Sequence, residues 1–229
     1  MNTVFFASVI ADLYSEAGAP LPTVDRPLVP LSDLMGAYDL TCTELTGLTS
    51  ATAIQELLRR GGIVEPPERL SHERLAGFIY TAAHIGAIFV ERADYLVRRR
   101  FSVAHELGHY LLHFRPLLQA GESDEPSVYE AMEAIPFSSS EAEPDQMPVG
   151  RMTFTRPAQS TASQKSFRDM EREANQFAGE LLMPKEIVQG LVEHHARAAH
   201  GEDLIWRIAT DMLVSRSAMR WRLRFLGLL

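Results

Sequence analysis

The chain has 229 residues, of which 46% are hydrophobic, and its 22 Lys and Arg against 30 Asp and Glu give a net charge of −8. These values are typical of a globular protein with one large domain or two small ones, and they exclude a uniformly basic surface that attracts nucleic acid or anionic lipid. The single cysteine, Cys42, excludes an intramolecular disulfide and a metal site built on several thiolates. No basic residue precedes the first apolar run and Asp12 interrupts it, so we expect a cytoplasmic protein without signal peptide or membrane span.

The first 60 residues have the composition of helices. Residues 1–17 are predicted to form one, a proline-rich connection follows, and residues 31–60 are predicted to form short helices, with Ser50 as an N-cap and Gly61 ending the run.

Two short apolar runs come next, LAGFIYTAAH and GAIFVERAD, and they predict strands of a small sheet. FSVAHELGHYLLHF predicts a helix that starts at Ser102 and stops at Pro116, and SFRDMEREANQFAGELLM predicts an amphipathic helix that ends at Pro184. A last helical region is predicted from Lys185 to the end, with a break near Gly201.

These elements predict an α+β fold, mainly helical, with a small three-stranded or similar sheet beside the HELGH helix. We predict an N-terminal helical region (1–65), a core that contains the HELGH helix (66–185) and a C-terminal helical region that resembles a helix-turn-helix (186–229).

The net charge lies in one stretch. Residues 116–150 hold eight acids and no Lys or Arg, which accounts for the whole excess of −8. We predict an irregular, solvated insertion over about 116–162. It is either a lid that restricts entry to the site and attracts a basic substrate, or a tolerated surface loop.

The motif that indicates chemistry is His105-Glu106-Leu107-Gly108-His109, the H-E-x-x-H pattern. Histidines four residues apart on a helix share one face, so both imidazoles can bind one Zn²⁺. The ion lowers the pKa of its water to about 7, and Glu106 is placed to take the proton. An apolar stripe opposite the histidines indicates that the other side of the helix packs into the core.

A catalytic zinc site needs a third protein ligand. His113 lies about 12 Å along the helix axis from His105, too far to share the ion, and is predicted to be a neighbouring cleft histidine. Glu171 falls on the apolar face of the later amphipathic helix, whereas Arg172 and Glu173 are predicted to point away from it. A metal ion would remove the cost of burying Glu171; the alternative is an ion pair with Arg98 or Arg100.

Together, FSVAHELGHYLLH and EREANQFAGELLMP resemble the ImmA/IrrE family of zinc metallopeptidases. The resemblance implies a gluzincin-type site in which Glu171, within an E-x-x-x-D/N pattern that ends at Asn175, is the third ligand and Glu106 is the general base. It also implies a protein substrate, a helix-turn-helix repressor whose cleavage releases genes of a stress response, mobile element or toxin system. The 61 residues between His109 and Glu171 are more than the family pattern leads us to expect.

Two questions stay open at this level. The transition-state stabiliser is among Tyr80, Tyr110, His113 and the His194-His195 pair. The last two helices carry five arginines, Arg207, Arg216, Arg220, Arg222 and Arg224. They indicate either a DNA-binding helix-turn-helix or, as we favour, two helices that pack into the core and whose exposed side is covered by arginines. The alternative function is therefore a DNA- or protein-binding regulator whose zinc is structural or silent.

Overall fold

The protein, as a computed structural model, is described over residues 3–62, 72–82, 85–119, 127–131 and 167–229. The helices are α1 (Thr3–Ala17), α2 (Leu31–Gly36), α3 (Ser50–Arg59), α4 (Leu96–His109), α5 (Arg115–Gln119), α6 (Phe167–Leu182), α7 (Lys185–His195), α8 (Gly201–Asp211) and α9 (Arg216–Phe225). A π-helical turn (Tyr110–Phe114) joins α4 to α5, and the strands are β1 (Leu40–Leu45), β2 (Gly77–Ala82), β3 (Ile85–Glu91) and β4 (Ser127–Ala131). The predicted α+β class, mainly helical with a small sheet, is confirmed.

The sheet has the strand order β1-β3-β2-β4, with β1 parallel to β3 and the other pairs antiparallel. Alternate residues of its central strands point to opposite faces. Ile79 and Ile88 lie in the main core with α4, whereas Phe78 and Phe89 lie in a second apolar cluster with α3. The sheet thus separates α4 from α3, and α4 packs in the main core on one face of the sheet.

The prediction for residues 31–60 is wrong over β1. The helices α2 and α3 form, but residues 40–45 pair with β3 in register from Leu40 opposite Gly86 to Leu45 opposite Glu91. The pairing partner is more than 40 residues away, so local helix signals did not reveal it. The N-cap of α3 is Thr49, whose side chain accepts a hydrogen bond from the Thr52 amide, and not the predicted Ser50.

The HELGH helix is longer than predicted at both ends. It begins at Leu96 and not at Ser102, and the chain continues through the π-helical turn into α5, so Pro116 does not stop it. Proline is tolerated in the first turn of α5, where a missing amide proton costs least. The prediction for α6, ending before Pro184, is confirmed.

The acidic insertion is only partly within the described residues. Two parts of it are regular, α5 at its start and β4, which pairs with β2 at the edge of the sheet. The prediction of an irregular loop is wrong at these two places, and its remaining residues, 120–126 and 132–162, lie outside the described part of the chain. No helix in the described ranges is both long enough and apolar enough to cross a lipid bilayer.

The three C-terminal helices share the main core with α6. Ile205, Ile208 and Met219 belong to the main core. Arg222 is 1% exposed, and its guanidinium donates two hydrogen bonds to Glu180 on α6, at 2.9 and 2.6 Å, and one to the carbonyl of Met183. Arg222, one of the five tail arginines, is therefore a buried structural residue that links α9 to α6.

Two further tail arginines also contact acids, Arg207 with Asp203 at 3.0 Å and Arg220 with Glu202 at 2.5 Å. These pairs support the interpretation of the tail as packing helices. Trp206 on α8 is 51% exposed.

Replacing Arg222 with Met should lower the free energy of unfolding by about 3 kcal/mol, because the Glu180 carboxylate loses its partner. The value is at the low end for a broken buried pair, since Glu180 keeps some contact with water. The matched control is Arg224→Met, two residues along the same helix and exposed, which should change stability by less than about 0.5 kcal/mol. Urea unfolding measures both free energies, and an equal loss of stability in the two variants would contradict the structural role of Arg222.

Candidate metal centre

The centre lies where α4 and α6 come into close contact. Gly108 on α4 faces Ala174 on α6, and a Cβ at Gly108 would lie 3.3 Å from the Cα of Ala174 and 2.9 Å from a ring carbon of Phe177. Only a glycine permits this approach of the two backbones. Because Glu171 lies one helical turn before Ala174, the same approach brings its carboxylate to the histidines.

The structure brings the three predicted ligands together. The Nε2 atoms of His105 and His109 are 3.0 Å apart, and the carboxylate oxygens of Glu171 lie 3.4 Å from the first and 3.0 Å from the second. In the described ranges this is the one group of three or more such side chains whose donor atoms converge. Donor atoms about 2.0–2.2 Å from a tetrahedral ion lie about 3.4 Å from one another, so the set fits Zn²⁺.

The side chains around the cluster favour the states that bind a metal. Asn175 Oδ1 is 3.0 Å from Nδ1 of His105, and a proton on that nitrogen leaves the Nε2 lone pair facing the cluster. Burial lowers the pKa of His109 despite the opposing effect of Glu171. The lowered pKa keeps the imidazole neutral. Burial alone would raise the pKa of Glu171, but the hydrogen bonds that it accepts from His105 and His109 outweigh it and keep the pKa below its ordinary value; a bound metal ion would take the place of those protons.

The proposed alternative partners of Glu171 are occupied elsewhere. Arg98 donates to Asp94 at 2.9 Å, and Arg100 donates to the carbonyl of Val29 at 3.1 Å. Glu171 therefore has imidazoles, and not guanidinium groups, as its neighbours.

Glu106 is 1% exposed and lies on the side of α4 that faces β2. Its carboxylate rests against the backbone at Gly77, where an ideal Cβ would lie 2.3 Å from Oε1. The candidate base is thus held between its helix and the first residue of a central strand.

The other predicted cleft residues have different surroundings. His113 is buried, with Nε2 3.3 Å from the carbonyl of Met170 and Nδ1 3.8 Å from Glu173. Glu173 was predicted to point away from the buried face, which is wrong, since it is 4% exposed. Its spacing contained the signal, because Glu173 lies three residues after Met170 and four before Phe177, both on the apolar face.

Three of the remaining candidates for transition-state stabilisation have contacts elsewhere in the fold. The ring of Tyr110 lies 5.7 Å from that of Tyr38. Tyr80 belongs to the cluster under α3, on the face of the sheet away from α4. His195 pairs with Asp211 at 2.6 Å, which ties α7 to the end of α8.

The family comparison matches both halves of this site. The profile of the IrrE N-terminal-like domain, peptidase M78, covers residues 62–134 and 150–224, more than half of the chain, including α4 and α6. No curated protein matches the chain significantly in sequence.

Replacing Asn175 with Ala should weaken Zn²⁺ binding by about 10–100-fold, because the His105 ring loses the hydrogen bond that orients it. Asn175→Asp is the matched control. It retains an oxygen acceptor for Nδ1–H, so its affinity should stay near the wild-type value. Competition with a chromophoric chelator measures both constants, and wild-type affinity in the alanine variant would contradict the orienting role.

Proposed function

The chain belongs to the IrrE N-terminal-like domain family of peptidases, and from this premise we propose that it is a zinc-dependent endopeptidase with His105, His109 and Glu171 as metal ligands. The observation that carries the proposal is the convergence of these three side chains, from two helices, at mutual distances of 3.0–3.4 Å. A peptidase family implies a protein substrate.

When bound, Zn²⁺ supplies Lewis acidity, which makes water a nucleophile near neutral pH and polarises the scissile carbonyl. The protein supplies the rest. Glu106 accepts a proton from the attacking water on its carboxylate and delivers that proton to the nitrogen of the leaving amine. Asn175 keeps the His105 ring oriented, and the neutral state of His109 and the ionised state of Glu171 keep their lone pairs available.

The burial of Glu106 suits this role. A carboxylate that is 1% exposed is shielded from bulk water, so its proton is passed within the site and is not lost to solvent. The backbone of β2 on one side and α4 on the other restrict its movement, which keeps the accepting oxygen in a constant place.

We further propose that the substrate is a helix-turn-helix repressor and that its cleavage de-represses stress-response, mobile-element or toxin-system genes. The resemblance to the ImmA/IrrE family supports this, and so does charge. In the sequence, all eight acids of the net excess lie between the two ligand-bearing helices, and such a concentration of negative charge would attract a basic, DNA-binding protein. Such a substrate places the peptidase in the cytoplasm.

The rival is a regulator that binds DNA or protein and uses zinc only structurally. It is less well supported because three of the five tail arginines, Arg207, Arg220 and Arg222, contact acids. A gel shift with DNA that survives chelation, together with no cleavage of any neighbouring-gene product, would favour it.

Co-expression with repressors encoded by neighbouring genes tests the peptidase. The wild type should produce a new repressor fragment, and Glu106→Gln should reduce its formation by at least about 10²-fold, because an amide cannot accept the proton. The Gln variant should retain one Zn²⁺ per chain by elemental analysis. Full cleavage by this variant would contradict the mechanism.

Glu171→Ala separates the ligand from the base. It removes a metal ligand and leaves Glu106 in place, so both the bound zinc and the cleavage should be lost. Glu186→Ala is the matched control, since Glu186 is exposed at the start of α7 and should keep both. An alanine variant at 171 that retains stoichiometric zinc would exclude Glu171 as a ligand.

A further inference from the structure

Gly77 is the first residue of β2, is buried, and lies between two neighbouring strands and the side chain of Glu106. It pairs with Val90 of β3 and with Ala131 of β4, so its backbone is fixed in the sheet. The space where a side chain would begin is taken by Glu106. An ideal Cβ at Gly77 would lie 2.3 Å from Oε1, 3.1 Å from Cδ and 3.2 Å from Cγ of that residue.

A side chain at this position would therefore meet the carboxylate of Glu106 and not a neighbouring strand. Cβ atoms essentially never approach a neighbour within 3.0 Å, so alanine would force Oε1 to move from its place. The strand cannot easily yield because it is paired on both sides. Because α4 is packed between the sheet and α6, it is the side chain of Glu106 that would have to move.

We propose that Gly77 is a positioning residue for Glu106: its missing side chain forms the recess that holds the carboxylate where it accepts the proton. This inference rests on the proposed peptidase function. The physical reason for an effect on rate is the steep distance dependence of proton transfer between oriented groups. A displacement of about 1 Å can cost about 10²-fold in rate.

The zinc ligands should not depend on Gly77. His105 and His109 lie on α4 and Glu171 on α6, and the contact that brings them together is at Gly108, not at the sheet. A positioning role thus predicts a specific loss, in which catalysis falls and the metal stays.

The contact itself can be tested without any substrate. Gly77→Ala should lower Tm by about 2–12 °C in the wild-type background, the range expected for overpacking in a protein of this size. In the Glu106→Ala background the methyl group enters vacated space, so the same change should leave Tm unaltered or raise it. An equal loss of Tm in both backgrounds would overturn the inference.

Gly86→Ala is the matched control. Gly86 lies on β3 in the same sheet, and a Cβ there would lie 2.1 Å from a methyl carbon of Leu40, which is similar crowding without Glu106. Its Tm loss should be the same in both Glu106 backgrounds, and its cleavage rate should remain at the wild-type value.

The catalytic part is measured with a fluorogenic peptide that spans the cleavage site found by co-expression. Gly77→Ala should lower kcat by about 10–100-fold with little change in KM and with one Zn²⁺ per chain retained. In the Glu106→Gln background it should cause no further loss, because the residue through which it acts is already disabled. Wild-type kcat, or a loss that persists in the Gln background, would overturn the positioning role.

Failure of the two proposals can be distinguished. A wild-type protein that cleaves nothing would overturn the peptidase function and with it the catalytic role of Gly77. The Tm comparison would still decide whether the Gly77 recess holds the Glu106 side chain.

Discussion

The close contact of α4 and α6 at Gly108 is the constraint on which the candidate site depends. Two histidines on one helix supply only two donors, and the third comes from a helix more than 60 residues later in the chain. The carboxylate of Glu171 reaches them because no side chain at Gly108 separates the two backbones. A larger residue there would widen the gap and move the third donor away from the other two.

Two glycines allow close contacts with α4, one on the side of α6 and one on the side of the sheet. At Gly108 the missing side chain admits a neighbouring helix, and at Gly77 it admits the side chain of Glu106. The metal ligands and the candidate base are therefore set by two separate contacts, one between helices and one between helix and sheet. Because of this separation, we expect that metal binding and proton transfer can be disturbed independently.

The rest of the fold packs around these contacts. The sheet supports α4 from one side, and α3 closes the opposite face of the sheet with its own apolar cluster. The C-terminal helices hold the far end of α6 through the buried Arg222–Glu180 pair, at the end of the helix opposite to Glu171. Parts of the chain that contribute no candidate ligand thus restrict the movement of the two helices that do.

Much of this was accessible from the sequence. Short-range periodicity and spacing identified α4, α6, β2 and β3, and the spacing of His105, Glu106 and His109 indicated the candidate site, because residues that share a helical face do so in any fold. The apolar pattern of α6 also selected Glu171 from among its neighbours. Tertiary structure decided what depends on distant partners. It decided the strand β1, the burial of Glu173 against His113, the buried pair of Arg222 with Glu180, and the contact of Glu106 with Gly77, since each arises where segments far apart in sequence come into contact.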